Sequence, residues 1–212
     1  MHETFTLFIL YFTSFFTLIN PLGAMPVFMT MTQSLSDQER HKTARNACIT
    51  AFIVLLVFAL TGQLLFRFFN ISVNGFRIVG GIIFFIMGYD MLNARISRLK
   101  IKKKDVKQYA EDVAVTPLGI PILAGPGSIT NSIVLMEDSH TISAKFVLFI
   151  SIFLVLLIAY ILLVSAGRLT KMIGETGNKV LMKLMGLIVM VIAVEFFISG
   201  IKPVLRDIFM IG

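Results

Sequence analysis

One cysteine, Cys48, stands in the whole chain, so no intramolecular disulfide can form. Three histidines, His2, His41 and His140, lie far apart near the ends of apolar segments, without metal-ligand spacing. No nucleotide-binding motif and no cofactor motif is recognisable, so uphill work would have to draw on an ion gradient. Asp90 and Glu195 are the acids to consider within apolar segments, and no nucleophile–base pair accompanies them. That argues against an enzyme. No ring-forming filter sequence marks a pore. Residues 1–19 lack a basic n-region and a small-residue cleavage site, so the first apolar segment is expected to be retained.

Charge is scarce as well: 15% of residues are charged and 57% hydrophobic, with a mean hydropathy of +0.88. Soluble domains sit near 45–50% apolar, so this composition indicates an integral membrane protein. The net charge of +7 could point to nucleic acid, but it is concentrated in loops flanking apolar segments. We therefore read it as topology, with no nucleic-acid partner.

Six apolar segments follow from the hydropathy pattern: about Phe5–Gln33, Ala47–Phe69, Gly75–Asn93, Val113–Met136, Phe146–Ala166 and Val180–Ile201. Polar connections at Ser34–Asn46, Ala94–Asp112 and Gly167–Asn178 hold or flank 14 of the 19 Lys and Arg. The positive-inside rule places these three in the cytoplasm and both termini outside. Lys100–Lys104 with Lys107 form a polybasic stretch, read as a topogenic loop that also attracts anionic lipid.

Pro-Leu-Gly occurs twice, as Asn20-Pro21-Leu22-Gly23 and Thr116-Pro117-Leu118-Gly119, each inside a segment long enough to span. A helix break in lipid frees backbone groups that must find protein partners or line a wet cavity. Asn and Thr are N-cap residues and Pro favours the first helical position, so Asn20 and Thr116 are each expected to start a half-helix. Such starts carry unpaired N–H groups and a partial positive charge, suited to a carboxylate. Gly23 and Gly119 would admit a ligand or a second backbone. The residues from Asn20 to Gly23 and from Thr116 to Gly119 are thus substrate-site candidates. Gly125, Gly127 and Ser128 join them through a further interruption, Gly125-Pro126-Gly127, after which Ser128 would cap the next helix.

Glu195 lies near the middle of segment 6, as a coupling group or a contact for a substrate ammonium. Thr13, Ser14 and Asn131 are secondary candidates, with bonding to their own helix or to a neighbour as the ordinary alternative. Asp90 is read as structural, with Arg95 in reach.

The expected architecture is all-α: one transmembrane domain over 1–212, with repeat 1 at about 1–94, a basic loop at about 94–112 and repeat 2 at about 113–212. Arg77-Ile78-Val79-Gly80 and Lys183-Leu184-Met185-Gly186 match across the halves, and three spans per half make the repeats inverted. Segments 1 and 4 either cross at their breaks or turn back as re-entrant hairpins. Crossing agrees better with the basic loops.

These motifs resemble the MarC family of bacterial and archaeal inner-membrane proteins, also called the SnatA-type neutral amino acid transporter family. The resemblance rests on Asn20–Gly23 with Pro26-Val27-Phe28, on Thr116–Pro121 with Ala124-Gly125-Pro126, and on Lys183–Leu187. It implies a secondary transporter of small neutral amino acids such as glycine or alanine in an inner membrane; a proton or Na+ is the expected coupling ion, and the resemblance does not choose between them. A non-transporting scaffold or regulatory subunit is the alternative. Oligomeric state is not indicated.

Overall fold

A computed structural model describes residues 2–93 and 106–209, and every regular element in them is helical. Hydrocarbon offers a peptide group no partner, so each segment satisfies its own backbone. The elements are α1 (His2–Ile19), α2 (Pro21–Met31), α3 (Asp37–Phe68), α4 (Val73–Leu92) and α5 (Val106–Val113). A wide-turned stretch, Ala114–Leu123, then leads to α6 (Pro126–Asp138) and α7 (Ile142–Phe209). Five helical stretches are long and apolar enough to cross a membrane. The pair Gln108–Leu123 and Pro126–Asp138, bent by 61°, makes a sixth if it crosses. Thr4–Met29 qualifies as one span across the first break. Arg95 and Lys100–Lys104 lie outside the described residues.

The two breaks differ. At the first, Asn20 takes left-handed φ/ψ of 46° and 65°, a region Asn tolerates better than most residues. Its side-chain carbonyl accepts the Gly23 N–H at 3.1 Å, and Pro21 is the first helical residue, as capping chemistry predicts. At the second, Thr116 starts no helix. It is extended (φ −133°, ψ 123°), as is Ile120, and each precedes a proline through a cis bond. A residue before proline is pushed out of the helical region, and Pro117 and Pro121 do this twice in five residues. The helix of the second half starts at Gly125-Pro126 instead. Ser128 is not its cap: the Ser128 hydroxyl lies inside α6 and donates to the carbonyls of Leu123 (3.2 Å) and Gly125 (3.0 Å).

Helix enters all three expected polar loops, with α5 taking up the end of Ala94–Asp112 from Val106 onward. α3 begins at Asp37, well inside Ser34–Asn46, because Ser36 and Glu39 form a reciprocal capping box. Arg40 then donates to the carbonyls of Thr32 and Gln33 at the end of α2, tying the two helices. Residues 167–178 are helical too, since α7 meets no proline before Pro203. α7 nevertheless contains two apolar spans, Ile142–Ala166 and Lys183–Phe209. If it were straight, Ile142 and Phe196 would lie roughly 80 Å apart. Yet Ile142 closely follows the end of α6, and Phe196 packs on Gly127 at the start of α6, a helix only about 20 Å long. The run therefore folds back between its two spans.

Glycine sets the closest helix contact. Gly88 of α4 faces Gly186 of α7, Gly81 faces Ala193, and Asn74 faces Gly200, so the two helices run antiparallel. Small residues recur at seven-residue spacing along this seam, which lets the backbones approach as in other membrane helix pairs. A Cβ on Gly81 would sit 2.8 Å from the Ala193 carbonyl oxygen, and one on Gly186 would sit 2.8 Å from that of Gly88. The core is built from Phe15, Phe28, Leu55, Leu118, Leu123, Leu148 and Ile152, all fully buried, on α1, α2, α3, the Ala114–Leu123 stretch and the first span of α7.

Candidate functional site

A cavity of about 270 Å³ opens at the first break, where α2 begins. Thr17, Asn20, Gly23, Ala24 and Val27 form one wall, and Phe84 and Met87 of α4 a second. Val189, Ile192, Glu195 and Phe196 of α7 form a third, and Ile122 closes the fourth. The volume is just below the roughly 300–1,000 Å³ of drug-sized ligand sites, and the wall is apolar except for Thr17, Asn20 and Glu195. Glu195 thus shares one cavity with the start of α2.

The N-terminus of α2 offers fewer donors than the sequence promised. Pro21 has none, Gly23 N–H is held by the Asn20 side chain, and Ala24 N–H bonds the Asn20 carbonyl at 3.1 Å. Leu22 N–H is the one left over, and the dipole remains. Gly23 also has a different reason to be glycine. A Cβ there would come 2.5 Å from the Asn20 amide nitrogen, so the missing side chain makes room for the cap.

The start of α6 lies behind the same wall. A Cβ on Gly125 would come 2.5 Å from the Phe84 ring, and a Cβ on Gly127 would collide with Phe196. These two rings meet edge-on, centroids 6.4 Å apart. No side chain caps α6; Pro126 has no N–H, and Ile129 N–H bonds the Gly125 carbonyl at 2.9 Å. The N–H groups of Gly127 and Ser128 have no partner among the described bonds, in residues that are buried. A buried helix start with free donors is an anion-binding element. The start of α6 therefore lies behind Phe84 and Phe196 and does not line the cavity.

One turn further along α6, Ser14 donates to the side-chain oxygen of Asn131 at 3.0 Å, joining two candidates 117 residues apart. The Asn131 side-chain nitrogen and the Thr130 hydroxyl are buried without a partner. An orphaned buried polar atom costs about 1–3 kcal/mol.

Other candidates lie elsewhere. Thr13 is exposed and bonds back to the Ile9 carbonyl at 2.7 Å. Thr116 is exposed, Leu118 is fully buried in the core, and a Cβ on Gly119 would press on Thr50 of α3 at 3.0 Å. Neither Pro117 nor any of these three lines the cavity; their segment contributes Ile122. Leu22 points away, 57% exposed. Asp90 does not line it either. Sequence reading missed Thr17, Phe84, Met87 and Phe196. The seven-residue spacing of small residues on α4 and α7 was the available signal, because it pairs these helices and turns Phe84 and Phe196 inward.

Membrane-crossing helices, a broken span and a mid-span cavity define a polytopic integral membrane protein. Residues 5–205 match the MarC family of integral membrane proteins, and the chain belongs to that family. It is 40% identical over 200 residues to a UPF0056 membrane protein of Methanocaldococcus jannaschii, covering 93% of this chain and 97% of that one. It is 34% identical over 209 residues to the UPF0056 membrane protein YhcE of Escherichia coli, covering 96% and 97%. With YvbG of Bacillus subtilis it shares 35% over 203 residues, covering 92% and 96%. Relatives thus occur in bacteria and archaea. No solved structure matches.

Proposed function

We propose that this protein is a secondary transporter of small neutral amino acids, working by alternating access around the two helix starts. The observation that carries the reading is one small apolar cavity that joins the start of α2 to a single carboxylate, Glu195. The positive end of the α2 dipole at Asn20–Gly23 suits a substrate carboxylate in the cavity, and Glu195 suits its ammonium. An apolar wall of this volume favours a small side chain. A proton or Na+ gradient drives uphill movement, the location is the inner membrane with both termini outside, and no catalysis is involved.

The proposed mechanism includes an inverted repeat, for which equivalent contacts in the two halves speak. A shift of 105 residues takes Gly81 to Gly186, and the contacts follow it. Gly81 faces Ala193 O and Phe197 N, and Gly186 faces Gly88 O and Leu92 N. A Cβ built on either glycine would lie 2.8 Å from each of its two facing atoms. Here Gly88 and Leu92 are Ala193 and Phe197 less 105. The same shift takes Pro21 to Pro126, each the first residue of its helix, and Ser36 to Thr141, each a hydroxyl accepting an N–H three residues on. It takes Asp90 to Glu195. The register differs from the 96 residues between the Pro-Leu-Gly copies and by one from the expected match of Arg77–Gly80 with Lys183–Gly186, so Gly81, not Gly80, is the counterpart of Gly186.

The test is uptake of radiolabelled glycine or alanine by purified protein in liposomes under proton and Na+ gradients. Uptake is expected in wild type and is largely lost in Glu195→Gln. No uptake by folded protein under any gradient would count against transport, and full activity in Glu195→Gln would remove that residue from it.

A further inference from the structure

A second groove, of about 280 Å³, lies on the outside of the helical assembly between α3 and the first span of α7, far in sequence from the cavity walls. Its α3 wall is Arg45, Cys48, Ile49 and Phe52, spaced to share one face of a helix. Its α7 wall runs from Phe153 to Tyr160 with the same spacing. Phe52 and Phe153 meet edge-on at 6.1 Å and close the inner end. Seven residues along each antiparallel helix bring Arg45 and Tyr160 to the opposite end together, roughly 10 Å away.

The two ends differ in kind. Apart from Arg45 and the Tyr160 hydroxyl, the lining is apolar, with Ile49, Phe153 and Leu157 exposed on spans that qualify to cross a membrane. Neither Arg45 nor Tyr160 has an ion pair or hydrogen bond among the described residues. Arg45 lies where the charged first turns of α3 (Asp37 to Lys42) give way to apolar sequence, the level of lipid head groups. Tyr at that depth is the ordinary interfacial anchor. In a bilayer an apolar groove of this kind is filled by acyl chain, and an unpaired arginine at its mouth selects phosphate charge.

We propose that this groove is a binding site for an anionic glycerophospholipid, with an acyl chain between Ile49 and Leu157 and the phosphate on Arg45. The site is independent of the transport reading.

The test uses full-length protein in detergent, offered equal amounts of phosphatidylglycerol and phosphatidylcholine with identical acyl chains, and native mass spectrometry of retained lipid. Wild type should retain phosphatidylglycerol about fivefold over phosphatidylcholine, the worth of one arginine beside an anionic head group. Arg45→Gln should abolish the preference, and Arg45→Lys should keep most of it. Ile49→Trp, which fills the groove, should reduce retention of both lipids. Equal retention by wild type, or a preference unchanged in Arg45→Gln, would overturn the proposal. So would a dimer that forms through this face and excludes lipid. Helix content by circular dichroism and elution volume establish that each variant is folded.

Discussion

Asn20 does three things with one residue. It adopts the left-handed conformation, ends α1 through its own N–H bonded to the Phe16 carbonyl at 3.1 Å, and caps α2. Ala at this position would lose the cap and be forced into a disfavoured φ. Asn20→Ala is expected to cost about 1–2 kcal/mol, and Asn20→Gly, which keeps the φ, distinctly less. Denaturant titration of the detergent-solubilised protein measures both. Thr116, which has the equivalent letters around it, is extended and exposed, so Thr116→Ala should stay within about 0.5 kcal/mol of wild type. A Thr116→Ala cost equal to that of Asn20→Ala would restore Thr116 as a helix cap. Gly127 is a residue of another kind, for its hydrogen is all that fits under Phe196. Gly127→Ala must displace that ring from the cavity wall. In the transport reading it lowers uptake more than it lowers stability, and the paired change with Phe196→Leu recovers part of the loss.

Among the elements, α4 and the second span of α7 form the closest pair, through Gly81, Gly88, Gly186 and Gly200. Water does not drive such helices together, so contact distance decides their association. Gly81→Leu and Gly186→Leu each insert a side chain against backbone at 2.8 Å. Each should cost at least about 1–3 kcal/mol, the usual range for overpacking, and the two costs should be similar because the contacts are equivalent. A loss confined to one of the two, read by thermal unfolding, would break the equivalence. α6 is the element with stored polarity. Ser128 and Ser132 are fully buried and Thr130 is 2% exposed, on a helix whose first donors are uncapped. Sequence reading reached this helix through Gly125, Gly127, Ser128 and Asn131 with Ser128 as its cap, and expected a further half-helix to start at Thr116. Local chemistry misled there because a cap motif in letters is only a cap when the backbone around it permits a helix. Pro121 follows too soon after Pro117 for that.

At the scale of the molecule, the cavity lies beside the start of α2, while the start of α6 is packed shut. If the halves exchange conformations, the walls at Gly23, Ala24 and Val27 have counterparts at Ser128, Ile129 and Ser132 under the shift of 105. Those counterparts are buried now. With Cys48 replaced by Ala, Cys introduced at Ser132 should be protected from a water-soluble thiol reagent in one state. It should become reactive when substrate and a gradient drive turnover. A labelling rate that never changes would sink alternating access at this helix.

Helical, membrane-spanning architecture, the first break and its cap could be read from the letters, since each depends on solvent or on neighbours within four residues. Hydrocarbon demands self-satisfied backbone, and Asn-Pro begins a helix wherever the flanking residues allow one. Two things depended on distant parts of the chain: the pairing of Ser14 with Asn131, and the turn of Phe84 and Phe196 onto the start of α6. In a membrane protein, faces toward lipid and faces toward the core are both apolar, so periodicity does not separate them. Only the packing of α4, α6 and α7 around the start of α2 determines which apolar side chains become the walls of a cavity.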